Sequence, residues 1–293
     1  MAIITFADAE NRLIKTIQKI KLSASYPSTY KGVDDPLGEL LGFKIKEQTL
    51  NSEYGLYIGN PTNDGVPIVA IDPKGSDVER LNFTYFHEVS HHLIRSDDEL
   101  YSFFDELAAQ NEDLYSLKER FANIGAAEFL LPSSEVREFI SKRSFSISLI
   151  KELDQSYPAS KPAIAIQLAR YASHKCIVVI CHFGVLPGKL GGQTNLPTLD
   201  NTEANNTFYV QYSASSPSNK YSIAKYAHVP RNHFLWGVYE QKLDITKGQA
   251  LIPFRKQMEW KTDCEGMYYK GKVYAVFNIE KPPPSSDLQP RLL

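Results

Sequence analysis

The spacing of hydrophobic positions changes along the chain and divides it into stretches. From about Asp8 to Lys21, Leu13, Ile14, Ile17 and Ile20 recur every three or four residues, which predicts an amphipathic helix. Between Tyr26 and Ser76, Gly and Pro are frequent and the short apolar runs GFKI, YGLYIG and PIVAID lie between turn residues. That is the pattern of a small sheet. Asp77 to Ser96 contains neither Gly nor Pro and carries Leu81, Tyr85, Val89 and Leu93 at every fourth position, so a buried helix is predicted there. A second helical block runs from about Asp105 to Leu131. It must stop at Pro132, whose ring clashes with the preceding turn, and Ser133-Ser134-Glu135 then restarts a helix.

Beyond this point the run SLIKELDQSYPASKPAIAIQLARYA, Ser148 to Ala172, reads as helix, turn, helix. Such a unit can read DNA. Ala and Ile dominate its second helix and few basic residues are free to meet phosphates, which favours a packing role. After Lys175 the period shortens: IVVICHF, NTFYVQYSA and KVYAVFNIE are β-rich, with Gly, Pro, Asn and Ser between them, as in a strand-rich domain. The final KPPPSSDLQPRLL is too rich in proline to form a core. The chain is therefore of the α+β class. The expected division is a first domain at 1–145, a helix-turn-helix-like linker at 146–175, a β-rich domain at 176–280 and a flexible tail at 281–293.

Length and composition support this division. A chain of 293 residues exceeds the usual single-domain range of roughly 100–200. With 43% hydrophobic and 23% charged residues it is neither disordered nor fibrous. A net charge of -2, from 32 basic and 34 acidic residues, supplies no global attraction for nucleic acid. The sequence contains no apolar stretch of about 20 residues, and its start, MAIITFADAENR, does not read as a secretory leader. The expectation is a cytoplasmic protein without a membrane association. Cys176, Cys181 and Cys264 lack CxxC spacing and read as buried free thiols.

The chemistry is concentrated at His87-Glu88-Val89-Ser90-His91, an HExxH motif inside the predicted 77–96 helix. Residues four apart project from one helix face, so His87 and His91 can offer two imidazole nitrogens to one ion. Glu88, beside the first histidine, can reach water in the open position of a zinc site and act as general base. His92 points about 100° away from His91 and reads as a surface or supporting residue. A catalytic zinc needs a third protein ligand. Glu106, Glu112, Glu119 and Glu128 lie in the following helical block. Glu119 is favoured because Asn123 stands four residues on, on the same face, where it can support the site. The competing position is Asp97, six residues after His91. That arrangement relies on a turning Gly where this chain has Ile94.

Two motifs carry a family resemblance. Arg80 to His91, RLNFTYFHEVSH, resembles the R-x-x-F-T-x-x-H-E-x-x-H signature of the ImmA/IrrE-type metallopeptidases. Glu119 to Pro132, ERFANIGAAEFLLP, is similar to that family's E-x-E-A-N-x-F-A-x-x-L-L-x-P. The family's second Glu is Phe121 here and its usual Phe is Gly125. The resemblance covers roughly residues 35 to 175. It implies a zincin-like fold and a zinc-dependent peptidase, with Mn²⁺ as a conceivable substitute. It also implies a protein substrate, a helix-turn-helix repressor of stress-response or mobile-element genes, and in longer members a C-terminal sensor-like domain of GAF type. Rival readings are a regulatory or toxin–antitoxin module that keeps the fold without cutting, and a DNA-binding regulator. For the oxyanion stabiliser the tyrosines and His174, His182, His228 and His233 remain open.

Overall fold

A computed structural model describes residues 4–24, 29–51, 54–59, 65–74, 77–109, 113–187, 206–252 and 260–279. The expected tail at 281–293 lies outside the described residues, as does Glu112. The chain divides into two compact units, Met1–Glu135 with Ser156–Ser160, and Val136–Gln155 with Lys161–Leu293. Both helices and sheets are present, as the α+β reading expects.

The first unit opens with α1 (Phe6–Ala24) and α2 (Pro36–Leu41), followed by β1 (Lys44–Glu47), β2 (Gly55–Ile58) and β3 (Ile68–Ile71). The strands form a sheet of order β1-β3-β2, with β1 parallel and β2 antiparallel to β3. Ala9, Leu13 and Ile17 of α1 are wholly buried, the stripe expected from their helical spacing. Next comes α3 (Val78–Ser96). Asp77 caps it by accepting a hydrogen bond from the Arg80 amide at 2.8 Å, a contribution of about 1 kcal/mol. Tyr85, Phe86, Val89 and Leu93 of α3 are buried, and this helix packs on α5, β2 and β3.

The helical block expected over Asp105 to Leu131 is two helices, α4 (Asp98–Ala109) and α5 (Leu114–Leu130). The cause is local capping. The Asp97 carboxylate accepts from the Glu99 and Leu100 amides, each at 3.1 Å, which starts α4 early. Asp113 accepts from the Ser116 amide and starts α5 anew. Pro132 follows the end of α5, and α6 (Ser133–Ser141) restarts the chain as expected. Buried Glu128 closes this junction: it accepts from the Ser133 amide and hydroxyl and from Gln18 of α1.

In the second unit, α7 (Leu149–Asp154) and α8 (Lys161–Tyr171) precede β4 (Cys176–Val185), β5 (Asn206–Ser215), α9 (Phe234–Glu240), β6 (Thr246–Leu251), β7 (Lys261–Tyr269) and β8 (Lys272–Asn278). The sheet is antiparallel in order β5-β4-β8-β7-β6. Helix α8 packs against α7, β4 and β5, with Ile164, Ala165, Leu168 and Ala169 buried. Its apolar face is therefore used in packing. Alternate residues Ile177, Val179, Cys181, Val273, Ala275 and Phe277 join Leu235 and Trp236 in one core. All three cysteines are buried and free, and burial pushes the Cys176 thiol up to about 11. No helix among the described residues is long and apolar enough to cross a membrane.

Candidate metal centre

Helix α3 presents His87 and His91 one turn apart, and α5, packed against it, brings Glu119 to them. The two Nε2 atoms are 3.1 Å apart. Glu119 Oε2 lies 3.2 Å from His87 Nε2, and Oε1 lies 3.3 Å from His91 Nε2. Three donors converge from two helices. Zinc–nitrogen bonds of about 2.0–2.1 Å in a tetrahedron place ligand atoms roughly 3.3 Å apart. The donor set and its spacing therefore fit such an ion, and these three residues form a group able to hold a metal.

Asn123 stands one turn beyond Glu119 on α5, and its Oδ1 is 3.1 Å from His87 Nδ1. When Nδ1–H donates to that oxygen, the Nε2 lone pair of His87 is left facing the other two donors. Burial lowers the pKa of both histidines. For His91 it falls to about 4, with His87 and the positive charge of Lys118 adding to desolvation. For His87 desolvation outweighs the opposing pull of Glu119. Both rings are therefore held neutral, the form that binds metal.

Glu88 is nearly buried at 8% exposure. A Cβ on Gly55 of β2 would lie 2.9 Å from Glu88 Cγ and 2.5 Å from Thr84 Cγ2. The edge strand can therefore approach the side chains of α3 only because residue 55 is glycine. This requirement was not visible in the sequence, since the close approach joins elements about thirty residues apart.

The other proposed ligands have different partners. Asp97 holds Arg12 Nε at 2.7 Å through both oxygens besides capping α4. Glu128 serves the α5–α6 junction, and Glu106 is exposed on α4. His92 is buried rather than at the surface. Its Nε2 lies 2.9 Å from the Leu41 carbonyl and its Nδ1 3.3 Å from the Tyr57 hydroxyl. His174, His182, His228 and His233 belong to the second unit. There His233 caps α9 and His174 meets the Phe145 ring edge-on.

The two departures from the expected motif have structural explanations. Phe121 is 2% exposed and packs between Phe103 and Phe104. Position 121 therefore faces the core, while Glu119 and Asn123 face the histidines. Gly125 sits where α5 meets α3: a Cβ there would lie 2.3 Å from Ser90 Oγ and 2.7 Å from its Cβ. Any side chain would force apart the two helices that supply the donors.

Residues 39–169 match the peptidase family M78, described as the IrrE N-terminal-like domain. The chain is 23% identical over 203 residues to the radiation response metalloprotease IrrE of Deinococcus radiodurans, an alignment covering 69% of this chain and 60% of that protein. It is 26% identical over 180 residues to the protein of the same name from Deinococcus deserti, covering 60% and 59%. The chain thus spans about three fifths of the length of these relatives. A solved Mycobacterium tuberculosis transcriptional regulator shares the fold, with a TM-score of 0.52 at 13% identity over 93% of this chain and 79% of that one.

Proposed function

We propose, for a chain whose residues 39–169 match the IrrE N-terminal-like peptidase family, that it is a zinc-dependent endopeptidase of the cytoplasm. The observation that carries this reading is the convergence of His87 Nε2, His91 Nε2 and Glu119 within 3.3 Å of one another. In this reading His87, His91 and Glu119 hold the metal and Asn123 orients His87.

A bound zinc would supply Lewis-acid polarisation of the peptide carbonyl and a lowered pKa for water at the site. Glu88 takes the proton from the attacking water and returns it to the leaving amine, so that both halves of the cleaved bond leave with balanced protons. Glu88 is buried and lies against the Gly55 backbone, which limits its freedom to move away. The substrate class that fits best is a helix-turn-helix repressor. The support is the family's activity together with relatives named for the radiation response.

The strand-rich second unit is a sensor-like module of GAF type in this reading. It is supported by the antiparallel sheet of five strands among the described residues, with β4 and β8 near its centre and helices packed on its strands.

The test is Glu88→Gln. The variant should bind zinc stoichiometrically and fail to cut a helix-turn-helix repressor that the unaltered protein cuts. Cleavage by the variant would remove Glu88 from its role. Zinc binding without cleavage of any repressor by the unaltered protein would favour a non-cleaving regulatory module.

A further inference from the structure

A cavity of about 430 Å³ opens beside His91, between β2, α3, α4 and α5. Its walls include apolar Ile94, Phe104 and Leu114. Two cations enter it, Arg95 from α3 and Lys118 from α5, against a single described carboxylate, Asp105. Arg95 is one turn beyond His91, and Lys118 immediately precedes Glu119. The charges thus stand next to two of the three donors.

Arg95 is exposed and Lys118 half-buried where they line the space. The Arg95 Nε and Cδ atoms lie 2.8 and 2.9 Å from where a Cβ of Gly59 would be, so the arginine stem rests on bare backbone just past β2. Its guanidinium lies 5.7 Å from the centre of the Tyr101 ring. Lys118 Nζ lies 5.9 Å from the centre of the Phe104 ring and is close enough to His91 to disfavour protonation of that ring. Neither cation forms an ion pair among the described residues. Low-dielectric walls strengthen the attraction of such a site for an anionic group.

We infer that this cavity receives the carboxylate of an Asp or Glu side chain of the protein substrate, next to the bond presented to the metal centre, and that Arg95 and Lys118 determine this preference. The inference rests on the peptidase reading. Arginine suits the task because its planar fork can grip a carboxylate through two hydrogen bonds, while lysine adds a mobile point charge. Asp105 leaves the described lining one positive charge in excess and opposes a basic side chain less than the two cations do.

The test uses the full chain, zinc-loaded and carrying Glu88→Gln, to capture peptides from a pool randomised over nine positions. The peptides are amidated at the C-terminus so that only side chains supply carboxylates. Sequencing the captured peptides should show Asp and Glu enriched over Lys and Arg about three- to tenfold, the range for a partly buried charge contact. Adding Arg95→Gln and Lys118→Gln together should abolish the enrichment, each alone should lower it, and Arg95→Glu with Lys118→Glu should favour basic peptides. Circular dichroism and zinc stoichiometry check that each variant is folded.

Enrichment that survives both neutralising substitutions belongs to the metal rather than to these residues and overturns the inference, as does the absence of any acidic preference. Cleavage of the repressor with no acidic preference would sink the inference and leave the peptidase reading standing. Acidic capture by a protein that never cuts would do the reverse, keeping the carboxylate site and removing the peptidase.

Discussion

Asn123 Oδ1 lies 3.1 Å from His87 Nδ1, on the side of the ring opposite the nitrogen that faces Glu119 and His91. The contact selects which nitrogen carries the proton and fixes the plane of the imidazole. Asn123→Ala should therefore weaken zinc binding by about ten- to hundredfold while leaving the helices intact. A chelator competition at constant pH measures it. Unchanged affinity would mean that packing alone orients His87.

Asp97 and Glu119 were rivals for the third ligand, and their surroundings separate them. Glu119→Ala should reduce zinc affinity more than Asn123→Ala does, because it removes a donor rather than a support. Asp97→Ala should leave zinc stoichiometric. It should cost about 1–2 kcal/mol of stability through loss of the α4 cap and of the Arg12 contact. Metal analysis and a denaturant titration on both variants distinguish the two patterns, and loss of zinc from the Asp97 variant would reverse the assignment.

The parts of this site that could be read from the sequence are those encoded by position along one helix. His87 with His91, and Glu119 with Asn123, are each four residues apart, so a helix alone brings each pair to one face. What brings the pairs together is the α3–α5 contact, and its enabling residue, Gly125, matters for what it lacks. Arg95 and Lys118 are not legible in the sequence because they meet only across a cavity built by four elements. The same logic explains the strands. Runs such as IVVICHF announce themselves, whereas β6 and β7, with Lys, Asp, Gln and Gly among their residues, become strands through pairing with one another and with β8.

The close approach at Gly125 yields a stability prediction. Gly125→Ala would place a methyl 2.3 Å from Ser90 Oγ, whose hydroxyl already donates to the Phe86 carbonyl at 2.6 Å. The clash is with a short side chain buried in the helix interface, so α5 must shift as a body. The expected loss is about 1–3 kcal/mol, with weaker zinc binding because Glu119 moves with the helix. Ser90→Gly in the same chain should recover much of both. Thermal unfolding and zinc titration of the single and double variants read the coupling, and additive losses would refute the shared-contact explanation.

The neutral histidines predict how stability depends on pH. In the unfolded chain an imidazole titrates near about 6.5, whereas in the metal-free fold burial holds His91 to about 4 and also lowers His87. Between those values the unfolded chain binds protons that the fold excludes. Stability is therefore complete above about pH 6.5 and falls as the pH drops toward 4. The pair should account for on the order of 2 kcal/mol across that window, given partial solvent access. Burial lowers His92 and His233 in the same sense, so the test compares the parent protein with His87→Gln plus His91→Gln. Urea titrations of both metal-free proteins at pH 7, 6 and 5 should show the parent losing more stability at each step, while parallel losses would mean that the two rings titrate alike in the folded and unfolded chains. Zinc, which requires the neutral rings, should remain bound in the parent to a pH below the ordinary imidazole value.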